Sequence, residues 1–105
     1  MLFQIKVVDP PFGKHLGLAY RSGLIDEDTV IEAFMALRDR KSLEDEPWKE
    51  KELEGKLTGK RSVQLGDDVR LIFKRTKKTV VIYDIGTHTQ LYKGAPRKWW
   101  QGWFE

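Results

Sequence analysis

The fold of this chain is decided by three strand-like segments within residues 57–74, LTGKRSVQLGDDVRLIFK, and residues 80–88, VVIYDIGTH. Apolar and polar residues alternate in the first two segments, as expected for half-buried strands, and residues 80–85 form a nearly continuous apolar run that is typical of a central strand. Turn-forming residues separate the segments at 66–68 and 76–78. We therefore predict three consecutive strands in a mainly antiparallel sheet.

Residues 2–21 predict a strand followed by a weak helix. The apolar residues between Leu2 and Val8 favour a strand, which the two prolines at 10 and 11 should end. Residues 12–21 have helical spacing, but Gly13 and Gly17 each disfavour a helix interior by about 1 kcal/mol relative to alanine. We expect a short or irregular helix there.

A firm helix is predicted from about Glu27 to Lys41. Asp26 has the side chain of a good N-cap, and Glu27 and Asp28 complement the positive end of the helix dipole. The apolar stripe that should pack on the sheet consists of Val30, Ala33, Phe34 and Leu37.

Residues 42–55 are strongly charged and contain Pro47, which predicts an exposed acidic linker with one turn of helix at 48–53. We expect this linker to face away from any nucleic acid. The order of elements, one strand, two helices and three strands, is typical of an α+β domain with both N-terminal helices on one face of the sheet. Residues 1–105 are expected to form that single domain, with residues 93–105 as a tail.

Composition limits the possible functions. The chain has no cysteine, which excludes disulfides and thiolate nucleophiles and fits a cytoplasmic location, and no apolar stretch is long enough for a signal peptide or a membrane span. The net charge of +3 divides unevenly, with 8 basic and 12 acidic residues in 1–54 but 11 basic and 4 acidic residues in 55–105. The basic half suits a polyphosphate partner, although a solvated charged face is the simpler explanation of charge alone.

Three side chains near the strand ends are candidates for chemistry. His88 can transfer a proton near neutral pH, Asp68 can act as a base or cap a turn, and Arg70 can bind a phosphate or pair with a carboxylate. His15 is expected to be a structural hydrogen-bonding residue. The two histidines have no acidic neighbours at ligand spacing, so no metal site is predicted.

The meander resembles the RelE/YafQ group of bacterial toxins. The similarity covers residues 57–92 and rests on Leu-x-Gly at 57–59, a Gly-Asp turn, Arg-Leu-Ile-Phe at 70–73, and Gly-Thr-His at 86–88 with an aromatic residue four positions on. Members are ribosome-dependent mRNA endonucleases, called mRNA interferases, and serve as toxins of type II toxin-antitoxin systems. The resemblance therefore implies a small RelE-like fold, translation inhibition by cleavage of mRNA on the ribosome, a cognate antitoxin as partner, and no cofactor.

The resemblance also implies roles for individual residues. YafQ-like enzymes use the histidine of the Gly-Thr-His turn, the aspartate before the middle strand and the downstream aromatic residue, which here are His88, Asp68 and Tyr92. RelE-like members use a strand arginine that corresponds to Arg70. The implied reaction is metal-independent attack of a ribose 2′-hydroxyl on the adjacent phosphate. Gln64 stands where YafQ-type sequences carry a further histidine, and the paired lysines of RelE-type sequences are missing.

Basic residues around these positions are expected to bind the RNA backbone: Lys60, Arg61, Lys74, Lys93, Arg97 and Lys98. The last three belong to the basic, Trp-rich tail, which suits either base stacking or packing against an apolar surface or a partner. Two other functions stay open, a ParE-like toxin that binds DNA gyrase and a catalytically inactive RNA- or protein-binding module of the same fold. The presence of His88 argues against the ParE-like alternative.

Overall fold

The computed structural model describes residues 2–66 and 68–87 of the chain. The elements in this part are β1 (Gln4–Val7), α1 (Pro11–Arg21), α2 (Glu27–Asp39), β2 (Lys51–Glu52), a 3-10 helix (Gly55–Leu57), β3 (Arg61–Leu65), β4 (Val69–Arg75) and β5 (Thr79–Thr87). The strands form one sheet in the order β1-β5-β4-β3-β2, in which β1 is parallel to β5 and all other pairs are antiparallel. The predicted α+β class with a mainly antiparallel sheet is confirmed.

Both helices pack on one face of the sheet around a shared core. The rings of Phe12 in α1 and Phe34 in α2 lie 6.0 Å apart between centroids, and α2 buries Val30, Ala33 and Leu37 as its apolar stripe predicted. The sheet contributes Val63, Leu65, Val69, Leu71, Phe73, Val80, Ile82 and Ile85. Burial of this apolar surface is the main force that holds the helices on the sheet.

The first helix is more regular than its glycines predicted. α1 is a continuous α-helix that begins at Pro11, where the missing N–H of proline costs nothing. Gly13 donates its N–H to Asp9 Oδ1 at 2.9 Å, and a Cβ at position 13 would lie only 3.0 Å from that oxygen. Gly13 therefore serves a close contact with Asp9, which sequence spacing alone did not reveal.

The second helix begins as predicted. Asp26 accepts a hydrogen bond from the Thr29 N–H at 2.8 Å and has extended backbone angles, which are the features of an N-cap. The helix ends at Asp39, two residues before the predicted end.

The prediction of an exposed linker with a helical turn at residues 42–55 was wrong in part. Most of these residues are exposed, but no helix forms at 48–53. Leu43, Trp48, Glu50 and Leu53 are buried, and β2 adds a fifth strand that pairs with β3. The buried side chains are separated by charged residues in the sequence, so the local composition hid the apolar contacts that hold this segment against the sheet.

The strand β5 is flanked by β1 and β4, but β4 is the central strand. The prediction that residues 80–85 form the central strand was therefore wrong in position, although β5 is internal, which explains its continuous apolar run. The β4–β5 pairing contains an irregularity between Ile72 and Phe73. Within the described residues, no helix is long and apolar enough to cross a membrane.

Candidate functional site

Strand register brings Arg70 into one row across the sheet with Gln64 and with Gly86 of the Gly-Thr-His motif. Gln64 of β3 pairs with Arg70 of β4, and Arg70 pairs with Gly86 of β5. Asp68 is exposed in the turn between β3 and β4, which Gly66 opens with a positive φ of 72°. The Gln64 amide donates to the Gly66 carbonyl at 2.9 Å and so ties the strand end to the turn.

Arg70 is a half-buried guanidinium without a carboxylate partner among the described residues. Within the described residues, Arg70 Nη1 donates a long hydrogen bond to the Val69 carbonyl, at 3.4 Å. The alternative role of Arg70 in an ion pair with Asp84 or with a helix carboxylate is not observed there, and the third carboxylate considered for that role, Asp67, lies outside the described residues. A guanidinium in this state can offer paired donors to a phosphate.

Three of the predicted RNA-binding cations, Lys60, Arg61 and Lys74, lie in the described part, and Arg61 and Lys74 line the same cavity. Lys60 Nζ lies 4.8 Å from the centroid of the Tyr83 ring, and Lys74 is exposed on β4. Burial, and then Lys74, lower the pKa of Lys60. Arg61 contacts Glu44, Glu50 and Glu52, so its charge is largely committed to carboxylates.

Several predicted site residues lie outside the described residues, namely His88, Tyr92, Lys93, Arg97 and Lys98. Their roles stay predictions. Thr87, which precedes His88 in the sequence, is described, and it pairs with Val69 across β4 and β5.

The structure also contains a buried polar pair that sequence analysis missed. His15 Nδ1 of α1 lies 2.8 Å from Asp84 Oδ1 of β5, and the two residues are 8% and 2% exposed. Asp84 Oδ1 also accepts the Ile85 N–H at 2.7 Å, whereas Asp84 Oδ2 is buried without a hydrogen-bond partner. The expectation that His15 is a structural hydrogen-bonding residue agrees with this contact.

Burial shifts the two groups of this pair in opposite directions. It raises the pKa of Asp84 to about 8, although the Ile85 N–H opposes the shift, and burial together with the nearby Lys14 charge lowers the pKa of His15 to about 4. Both shifts disfavour the charged forms because the site excludes water. Between these values Asp84 is protonated and His15 is neutral, so the 2.8 Å contact joins two uncharged groups.

We expect stability to decrease as the pH rises from 6.5 to about 8. The raised pKa of Asp84 makes the folded state bind more protons than the unfolded state between pH 3.8 and about 8, and the lowered pKa of His15 has the opposite effect between about 4 and 6.5. The two effects cancel below pH 6.5. Above it, urea denaturation should show a loss of about 2 kcal/mol in the free energy of unfolding.

Asp84→Asn is the matched control for this prediction, because it keeps the side chain's size and removes its titration. Its stability should be independent of pH between 6.5 and 8. Identical pH profiles for the variant and the wild type would show that Asp84 does not titrate in this range.

A second buried charged group lies in the segment that was expected to be a linker. The Glu50 side chain is 2% exposed and accepts hydrogen bonds from Arg61 Nε, from Arg75 Nη1 at 2.5 Å and from the Leu43 N–H at 2.9 Å. Burial alone would raise the pKa of Glu50, but the hydrogen bonds from Arg75, Leu43 and Arg61 outweigh it and lower the pKa. Glu50 therefore stays ionised and joins β3, β4 and the 42–50 segment.

Comparison with known proteins identifies the family of the chain. The family model for YafQ, described as the bacterial toxin of a type II toxin-antitoxin system, matches residues 5–93. The chain belongs to the YafQ toxin family. No curated protein sequence matches it.

Solved structures related to this YafQ-family chain have the same fold. YafQ from E. coli is 22% identical, with a TM-score of 0.75 over 86% of this chain and 98% of that chain. The E. coli DinJ-YafQ toxin-antitoxin complex gives 23% identity and a TM-score of 0.74 over 88% of this chain and 99% of that chain. A metal-bound toxin from Helicobacter pylori gives 23% identity and a TM-score of 0.73 over 88% of this chain and 100% of that chain.

The family assignment confirms the resemblance found in the sequence and the predicted RelE-like fold. The chain is a toxin of the type II toxin-antitoxin class. The YafQ match ends at residue 93, so the Trp-rich tail extends beyond the family model.

Proposed function

We propose that this YafQ-family toxin is a ribosome-dependent mRNA endonuclease that inhibits translation. The observation that carries the proposal is Arg70, a half-buried guanidinium without a carboxylate partner in the described part of the chain, in one row with Gln64 and Gly86. Positive charge held on a rigid strand in this way suits the charge that grows on a phosphate during cleavage.

The other proposed catalytic residues are adjacent in sequence to a paired position. Asp68 directly precedes Val69 and His88 directly follows Thr87, and Val69 and Thr87 are partners in the sheet. This adjacency supports the assignment of Asp68 and His88 to one site.

In the proposed reaction the ribose 2′-hydroxyl loses its proton and attacks the adjacent phosphorus, and the bond to the 5′-oxygen breaks. Asp68 takes the proton or orients a group that does, and His88 donates a proton to the departing 5′-oxygen. Arg70 stabilises the phosphate charge, and Tyr92 stacks on the exposed base or supports His88. The products are a cyclic phosphate and a free 5′-hydroxyl.

This scheme assigns both proton transfers to side chains and is metal-independent. The residues 2–66 and 68–87 contain no group of three histidine or acidic side chains that could hold an ion.

We also propose a cognate antitoxin as partner, because the E. coli relative is known in a complex with DinJ. Residues 55–105 carry an excess of positive charge, which would attract an acidic segment of the antitoxin. We propose that this segment covers the proposed RNA-binding face.

Induced expression in a bacterial host, with mRNA 5′ ends mapped within minutes, tests the proposal. Codon-phased cleavage that disappears when ribosomes are kept off the message is the expected result. Growth arrest with intact mRNA would contradict nuclease activity and favour a toxin that acts by binding. Cleavage that persists on free mRNA would contradict ribosome dependence.

Arg70→Ala should reduce the cleavage rate about 10²- to 10³-fold, because it removes charge stabilisation at the phosphate. Arg70→Lys should keep part of the rate, since it retains the charge but loses the paired donors. Single-turnover cleavage of ribosome-bound mRNA measures both. The control is Arg40→Ala, a surface arginine that pairs with Asp45 at 2.8 Å, which should cleave normally, and equal rates for the Arg70 and Arg40 variants would remove Arg70 from the mechanism.

A further inference from the structure

A cavity of about 200 Å³ lies between α1 and the end of β5. Its inner wall includes His15, Ala19 and Ile85, and its outer rim includes Leu18 and Leu24, which are 49% and 43% exposed. Large apolar side chains that remain half exposed around a mainly apolar cavity indicate a surface that another group covers.

A hydrogen-bond acceptor without a donor lies directly behind this wall. Asp84 Oδ2 is buried without a partner among the described residues, and Asp84 adjoins two wall residues, Ile85 through the chain and His15 through the 2.8 Å contact. When the carboxyl proton of Asp84 lies on Oδ1, in the contact with His15 Nδ1, Oδ2 can accept a hydrogen bond. An aromatic group that carries a single donor would suit both the apolar wall and this oxygen, and the indole of tryptophan has that chemistry.

The chain itself supplies such groups near the cavity. Gly86 lines the cavity, and β5 ends at Thr87. Residues 99–104, WWQGWF, begin 12 positions later, and a 12-residue span reaches up to about 40 Å when extended. This segment lies beyond residue 93, where the match to the YafQ family ends, so the tail is an addition to the family fold.

We propose that the Trp-rich segment 99–104 docks into the cavity between α1 and β5, with one indole seated against His15 and Ile85. Such docking covers the exposed apolar rim and seats the indole on His15 and Ile85, the two wall residues that adjoin Asp84. It also anchors both ends of residues 88–98, since Thr87 is fixed by the sheet. The inference does not depend on nuclease activity.

Disulfide trapping tests the proposal cleanly because the chain has no cysteine. Ser22 lines the cavity, so Ser22→Cys combined with Gly102→Cys should form an intramolecular disulfide under mild oxidation. The matched control combines Ser42→Cys, at the separate cavity beside Arg61, with the same Gly102→Cys.

An undocked tail reaches each site at an effective concentration set by the linker and by the distance from Thr87, in the millimolar range for a flexible linker. Because Gly86 lines the Ser22 cavity, proximity alone favours the Ser22 pair, and docking should make it react at least about tenfold faster than the Ser42 pair. Equal rates would overturn the proposal. Disulfide-linked dimers that increase with protein concentration would also overturn it, because the occupant would then be a second copy of the chain.

A second measurement leaves the tail sequence unchanged. Leu18→Glu places a charge on the cavity rim, and Ile31→Glu changes an equally exposed residue of α2 that does not line the cavity; both native side chains are 49% exposed. Leu18→Glu should increase acrylamide quenching of tryptophan fluorescence and shift the emission to longer wavelength, whereas Ile31→Glu should not. Equal quenching in the wild type and both variants would overturn the proposal.

Discussion

His88→Ala should abolish toxicity and codon-phased mRNA cleavage while the protein remains folded. In the proposed reaction His88 gives a proton to the departing 5′-oxygen, and loss of a general acid typically slows such a reaction about 10²- to 10⁴-fold. Growth after induction, together with 5′-end mapping of mRNA, measures the two effects, and circular dichroism checks the fold.

His15→Gln is the matched control, since His15 and His88 are the two histidines of the chain. This variant weakens the buried contact with Asp84 and should lower the midpoint of urea denaturation, but it should cleave mRNA at the wild-type rate per folded molecule. A toxic His88→Ala variant with intact cleavage would remove His88 from the mechanism. Loss of cleavage in both variants at equal folded fractions would point to a shared structural role.

Glu50→Ala should destabilise the protein by about 3–5 kcal/mol, because removing one partner of a buried ion pair leaves uncompensated charge. The variant loses the acceptor of Arg61 and Arg75, and it leaves the Leu43 N–H without its bond. A domain of this size has a total stability of about 5–15 kcal/mol, so the loss is a large fraction of the whole. Urea denaturation followed by circular dichroism gives the free energy of unfolding.

Two further variants make this result specific. Glu52→Ala removes an exposed carboxylate, 77% accessible, that also contacts Arg61, and it should cost well under about 1 kcal/mol. The double variant Glu50→Met with Arg75→Met removes both members of the buried pair and should recover part of the loss caused by Glu50→Ala. Equal stability of Glu50→Ala and Glu52→Ala would show that the buried network contributes little.

The sequence predicted those elements whose causes are local. The cap at Asp26, the apolar stripe of α2 and the strand positions of β3 and β4 depend on neighbours within a few positions, and they were confirmed. The predicted burial of β3 and β4 on one face alone was wrong, because Ser62 and Ile72 are also buried. Residues 42–55 were misjudged because their contacts are not local. Glu50 is a typical surface residue by composition, and its burial depends on Arg61 and Arg75, 11 and 25 positions away.

In the candidate site, too, the sequence predicted the features with local causes and missed those that depend on distant residues. A strand position for Arg70 and a turn position for Asp68 followed from the spacing of residues. The contact between His15 and Asp84 joins residues 69 positions apart, and no pattern in either segment indicated it. A histidine on the inner face of a helix and an acidic residue inside an apolar strand were the only signals, and neither one names its partner.

The place of β5 in the sheet has a consequence for synthesis of the toxin. β5 pairs with β1 near the beginning of the chain and with β4 just before it, yet it is made after every other described element. Until it emerges from the ribosome, β1 lacks its neighbour and the helices lack much of the surface on which they pack. We therefore expect folding to occur late in translation, so that the nascent toxin lacks its complete sheet until β5 has been made.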